Sequence, residues 1–298
     1  MLHIQLLRAF ELVGLGLVVG AISPTFGIGG GLITVPLLIL LYGMSSSVAT
    51  ATSLGVIIFV SLSGTLAYIR ERRVDFRVGF LFVLFAVPGS LAGGFVSNWL
   101  RSLRLRIDIL QILFGGTMLV IAVMRVISIL RRSGRSGAET SKSSDPAAVD
   151  DAKKGESTRN RLTRDMSDRR GVRFTYSARL YPGMVVAFVG GFLGAMLGLG
   201  GGIIYVPILT GLIGLPAAIA TATSTFTILF ANPFAVAVRF ASIRWDFVLF
   251  LSLGVVVSAS IVPRFLHRVQ AKWLLIGFWT LAFIASSRLL LKVVGVNI

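Results

Sequence analysis

The chain has 298 residues, of which 55% are hydrophobic and only 14% charged, with a formal net charge of +17 and a mean hydropathy of +0.88. A soluble domain carries about 25% charged residues, so this chain lacks the charge to coat a water-facing surface. The basic balance does not call for nucleic acid either, because Lys and Arg collect in the cytoplasmic loops of membrane proteins and no nucleic-acid motif is present. The absence of cysteine excludes disulfides and cysteine metal sites, and neither a cofactor nor a metal is expected.

The charges are also segregated. Leu12 to Ile69 is 58 residues without Asp, Glu, Lys or Arg, and Leu180 to Val238 is 59. At roughly 20 apolar residues per bilayer crossing, each run holds two crossings or more. Membrane barrels are built from short alternating strands, which such runs exclude. The expected fold class is therefore an all-α polytopic membrane protein, multi-pass in the plasma membrane.

Taken in order, the start resembles a signal peptide, but its apolar character continues well past any cleavable core, so it is read as a retained helix. The stretch Ser23-Pro24-Thr25-Phe26-Gly27-Ile28-Gly29-Gly30-Gly31 cannot be good helix, since proline removes a donor and glycine adds backbone freedom. A helix, a break and a second helical piece from about Leu32 to Leu41 are expected. Ser45 to Ser47 is a polar turn and candidate N-cap. Val48–Ile69, Val78–Leu100 and Ile107–Leu130 are the following crossings. Residues 131–179 hold 13 Lys or Arg and 7 Asp or Glu with few aromatics, a composition that buries too little apolar area to fold alone. They are read as a disordered cytoplasmic linker. Leu180–Leu197, a break at Gly198–Gly202, a piece from Ile203 to Ile213, and crossings at Ile219–Val238, Phe247–Pro263 and Trp273–Leu291 follow. The organisation is thus repeat 1 over 1–130, linker over 131–179 and repeat 2 over 180–298, with four to five helices per repeat and 8–10 in total.

The repeat is explicit. Residues 27–53 reappear 171 positions later without a gap, with 15 of 27 identical. Arg73-Val74-Asp75-Phe76 and Arg244-Trp245-Asp246-Phe247 keep the same offset. Even halves make parallel repeats and odd halves inverted ones. Lys and Arg counts in the short loops lean only weakly to the parallel scheme, and orientation stays open.

Irregular backbone at membrane depth survives only inside protein or beside a water-filled cavity. Paired glycine breaks in two halves point to a transporter's central site. Helix starts after the breaks carry roughly +0.5 charge and favour anions. The candidate substrate-binding set is therefore Gly29, Gly30 and Gly31, Gly200, Gly201 and Gly202, with the hydroxyls of Thr50, Thr52, Ser53, Thr221, Thr223 and Ser224, and Asn232 beside Pro233. The competing readings are close packing for the glycines and bonds back to their own helix for the hydroxyls. Neither long apolar run holds an ionisable group. Glu11, Asp75, Asp108 and Asp246 lie at segment ends, and Asp75 and Asp246 are read as members of loop ion pairs with the arginine two positions before each. With no Cys, two peripheral histidines and no clustered carboxylates, an enzyme has little to work with, and none is expected. A P-loop is excluded because no lysine follows the glycines.

The doubled Gly27-Ile28-Gly29-Gly30-Gly31…Val35-Pro36 and Gly198-Leu199-Gly200-Gly201-Gly202…Val206-Pro207, each followed by Ala-Thr-Ala-Thr-Ser, resembles the sulfite exporter TauE/SafE family, also called the 4-toluene sulfonate uptake permease family. The resemblance covers nearly all the chain except 131–179. It implies a permease of about eight helices for sulfite, sulfonates or related sulfur-containing anions, with membrane lipid and a small anion as partners. The basic linker is longer than the short loop such a permease would have between its halves. A passive anion channel and a non-transporting membrane anchor are the rival readings. The anion, the direction, the coupling ion and the oligomeric state are not set by the sequence.

Overall fold

The computed structural model describes residues 2–26, 29–103, 110, 112–117, 119, 161–169, 171, 173–265 and 287. Apart from the few residues named in that range, the crossings expected over 107–130 and 273–291 lie outside it. So do Gly27 of the first break and residues 131–160 of the linker.

Four helices make up the described first half: α1 (Leu2–Phe26), α2 (Gly31–Tyr42), α3 (Ser46–Arg70) and α4 (Phe76–Ser102). A hairpin of β1 (Arg161–Ser167) and β2 (Arg173–Arg179) precedes α5 (Leu180–Leu197), α6 (Gly202–Gly211), α7 (Ala217–Arg239) and α8 (Trp245–Phe265), with a 3-10 turn over Phe240–Ser242. Ser46–Arg70, Phe76–Ser102 and Ala217–Ser242 are long and apolar enough to cross a membrane. Large apolar side chains such as Phe80, Leu84, Phe95, Trp99, Leu249 and Leu253 stand exposed, as lipid-facing residues must.

α2 and α6 are short for a physical reason. At about 1.5 Å per residue, their 12 and 10 residues span about half of a bilayer core of roughly 30 Å. Each begins at a left-handed glycine, Gly30 with φ 86° and Gly201 with φ 82°. Each ends near another positive-φ glycine, Gly43 with φ 63° and Gly214 with φ 89°. Only glycine takes that conformation without strain. Pro36 and Pro207 inside the pieces each remove one more backbone donor. Ser45 occupies the N-cap position of α3, as expected from the polar turn, but its side chain makes no capping bond.

The helices cross-pair. α1 packs along α8, and α4 along α5 and α7. Glycine makes the closest approaches possible. A Cβ at Gly16 would collide with the Leu251 carbonyl, and one at Gly254 with the Val13 carbonyl. In the same way Cβ atoms at Gly89 and Gly93 would collide with the carbonyls of Phe188 and Phe192. Small residues spaced four apart let membrane helices approach to backbone contact.

The linker reading needs correction at its end. Residues 161–179 are not a solvated tether but an antiparallel hairpin, paired from Arg161↔Arg179 to Ser167↔Arg173. Its turn closes through Gly171, at φ 79°, with the Gly171 N–H donating to the Asp168 carbonyl at 2.9 Å. Met166, Phe174 and Tyr176 pack against the helical core, which supplies the apolar burial that composition alone could not.

Candidate functional site

The two breaks meet. A Cβ at Gly31 would collide with the Gly198 carbonyl oxygen and stand 2.8 Å from Leu199 Cα. Isoleucines of α3 and α7 close the junction crosswise. Gly29 faces Ile228 Cδ1, and Gly200 faces Ile57 Cγ2, at 3.5 Å and 3.0 Å from where a Cβ would stand. Ile57 and Ile228 are themselves 171 residues apart in sequence. The packing reading of the glycines is thus met at this point: they allow contact, and the contact lies between irregular backbones.

Of the two readings of the hydroxyls, bonding back to their own helix holds for Thr50 and Thr221, and others bond across the repeat. Ser53 Oγ donates to the Gly198 carbonyl at 2.9 Å, tying the start of α3 to the opposite break. Thr50 Oγ1 donates to the Ser47 carbonyl at 3.1 Å, and Thr221 Oγ1 to the Ala217 carbonyl at 2.9 Å. Thr52 accepts the Arg244 amide at 3.1 Å and Thr223 the Asp75 amide at 3.2 Å. These two threonines pin the loop of the opposite half. Ser224 is fully buried. Thr221 is half-exposed and does not join the junction.

Asn232 lies in α7 beside the second break. It is buried, and its Nδ2 has no hydrogen-bond partner. It stands 3.5 Å from the position of a Cβ on Gly200. On the other side of the junction Ser23 Oγ is also buried and unpartnered, 3.2 Å from the position of a Cβ on Gly30. Buried donors without partners cost about 1–3 kcal/mol each, and here one lies beside each of the two breaks.

The sequence reading missed one residue. Arg239 directly follows the second charge-free run, a position that by sequence reads as the start of a loop. It is instead 1% exposed. Its Nη2 donates to the Ser47 carbonyl at 2.6 Å and to Thr50 Oγ1 at 2.8 Å, and its Nη1 to the Ala195 carbonyl at 3.4 Å. Those groups belong to the start of α3 and the helix end before the second break. A signal was available: Asn232 and Arg239 are seven apart, which puts them on one face of a helix.

The loop carboxylates divide. Arg244 and Asp246 form the expected exposed ion pair at 2.7 Å. Asp75 does not pair with Arg73. It is fully buried and caps α4 by accepting the amides of Arg77 and Val78 at 3.0 Å and 3.3 Å. The Tyr176 hydroxyl of the hairpin donates to it as well. Arg73 turns to Asp168, with Nη2–Oδ2 at 2.6 Å, and to Glu71 at 2.9 Å.

The profile of the sulfite exporter TauE/SafE family matches residues 12–289. The chain belongs to the sulfite exporter TauE/SafE family. Among its relatives is the protein named "Probable membrane transporter protein YunE" of Bacillus subtilis (strain 168), 34% identical over 228 residues that cover 74% of each chain. Another is "Probable membrane transporter protein YdhB" of the same organism, 30% identical over 115 residues, 39% of this chain and 43% of that protein. No solved structure matches. This TauE/SafE chain is thus a membrane protein, and its family and both relatives' names support a membrane transporter.

Proposed function

We propose that the chain is a secondary permease of the plasma membrane that moves a small anion, sulfite or an organosulfonate or related sulfur oxyanion, bound where the two glycine breaks meet. The observation that carries this reading is the junction itself. Two interrupted helices touch there, and the buried, unpartnered donors Asn232 Nδ2 and Ser23 Oγ lie beside them. Donors without acceptors suit an anion. In this reading the helices form two homologous repeats of four to five spans. Gly29 to Gly31 and Gly200 to Gly202 present backbone to the substrate. Thr50, Ser53 and Thr221 take part only by releasing the carbonyls they now bond, while Thr52, Thr223 and Ser224 hold the surrounding frame.

The test is uptake of labelled sulfite, thiosulfate and a simple sulfonate by proteoliposomes, with and without a pH gradient. Saturable flux with counterflow of at least one anion supports the permease. Flux that never saturates and shows no counterflow moves the reading to a passive channel. No flux of any of the three defeats the sulfur-anion assignment. Asn232→Leu replaces the free donor by an apolar group of similar size, and we expect it to cut flux at least tenfold while leaving membrane insertion unchanged.

A further inference from the structure

The sequence repeat sets α3 beside α7 position by position, and two of the polar differences bear on the site. Where α7 carries Asn232, α3 carries Ser61, whose hydroxyl is satisfied by the Ile57 carbonyl at 2.7 Å. Where α7 carries Arg239, α3 carries Tyr68. Asn232 and Arg239 are seven residues apart, two turns and about 10 Å along one face of α7. These two polar departures of the second half therefore share a strip that runs along the second break, while Thr225 and Thr227, in place of Leu54 and Val56, bond back to their own helix.

The guanidinium at the end of that strip is electrically unbalanced. Its hydrogen bonds go to two backbone carbonyls and to the hydroxyls of Ser47 and Thr50. No carboxylate is among them, and Nε has no partner at all. Among the described residues the charged group that acts on it is a second cation, Arg101, itself bonded to Ser242. A buried ion without a counter-ion costs several kcal/mol. Helix-end carbonyls offset part of this, but they leave one N–H edge unused. A guanidinium offers donors in a fixed planar fork that matches paired oxygens of an oxyanion.

We propose that Arg239 is the cation that receives the anionic group of the transported substrate, an oxyanion presenting at least two oxygens, on its way to or from the junction, where Asn232, two turns away on the same strip, is a separate neutral donor. This deepens the permease reading and rests on it. Thr50 and Ser47 orient the guanidinium and stand ready to donate once it turns to the anion.

The test compares Arg239→Lys, Arg239→Gln and the exposed control Arg244→Gln in proteoliposomes, with sulfite and methanesulfonate as probes, alongside thermal unfolding in detergent with and without each anion. Lysine keeps the charge and loses the fork. The proposal expects a KM at least tenfold higher for Arg239→Lys with maximal flux within about threefold, and flux at least tenfold lower for Arg239→Gln. It also expects anion-dependent thermal stabilisation in the wild type that Arg239→Gln loses. If Arg239→Gln does not insert, the KM of Arg239→Lys decides. An unchanged KM in Arg239→Lys, or reduced flux with wild-type KM and intact anion stabilisation, makes Arg239 a strut between α3 and α5 and overturns the proposal while leaving the permease. Absence of flux and of anion stabilisation in the wild type overturns both.

Discussion

Gly30 and Gly31 are neighbours needed for different reasons. Gly30 sits at φ 86° with its nearest neighbours 3.2 Å or more from where a Cβ would stand, so alanine there meets strain and little collision. The left-handed region costs an L-residue about 1–2 kcal/mol. Gly30→Ala should therefore lower the unfolding midpoint in detergent and keep most of the flux. Gly31 has ordinary helical backbone but no room, because a Cβ would collide with the Gly198 carbonyl. Gly31→Ala should separate the two breaks and cut flux at least tenfold. Equal flux in the two variants would show that contact between the breaks is not needed. Asp75 and Asp246 make a second contrast, since they hold the same place in the repeat. Asp75→Ala removes an N-cap, about 1 kcal/mol, and also removes the carboxylate to which the Tyr176 hydroxyl donates. Asp246→Ala removes one half of an exposed pair, which contributes about 0–1 kcal/mol. Thermal unfolding of the two variants checks the difference. At this scale the glycines and Asn232 could be read from the sequence because backbone breaks and lone amides stand out in apolar runs. Arg239 is harder to read, because a charge at the end of such a run looks the same whether it enters the loop or folds back beneath it, and only its spacing of seven from Asn232 favours the second.

Among the elements, most described helices keep close to the bounds that apolar runs and glycine suggest, but α1 continues through Ser23-Pro24-Thr25-Phe26, which the sequence assigned to the break. Leu180–Leu197 is matched residue for residue, and the pieces beginning at Gly31 and Gly202 start where the glycine runs end. The hairpin was hidden. Averaged over 131–179, three apolar side chains disappear among the charges, although Phe174, Tyr176 and Ala178 alternate at the period of a strand. What fixes the hairpin is remote in sequence. Asp168 is buried against Arg73, the Arg169 amide donates to the Glu71 carbonyl at 3.2 Å, and Tyr176 reaches Asp75. Removing one partner of a buried charge pair is costly because the other charge is left behind. Asp168→Ala should speed amide exchange across residues 161–179 at least tenfold, read by hydrogen–deuterium exchange, without changing exchange in α5. Unchanged protection would mean that apolar packing alone seats the hairpin.

For the whole molecule, the cross-pairing decides what can stand alone. α1 lies along α8 and α5 along α4, so each half covers its glycine seams with a helix of the other. Chains ending at residue 130 or beginning at residue 180 should each be degraded when expressed singly and accumulate when expressed together. Stable accumulation of either one alone would contradict the interlock. The same seams impose an order in time. Gly16 and Gly20 enter the bilayer with the first helix, yet their partners are Leu251, Val255 and Ser258 in α8. Until α8 is synthesised, α1 holds a bare groove of backbone toward lipid or toward a temporary companion. An insertion chaperone that shields small-residue grooves would therefore meet this chain early and keep it until synthesis is nearly complete.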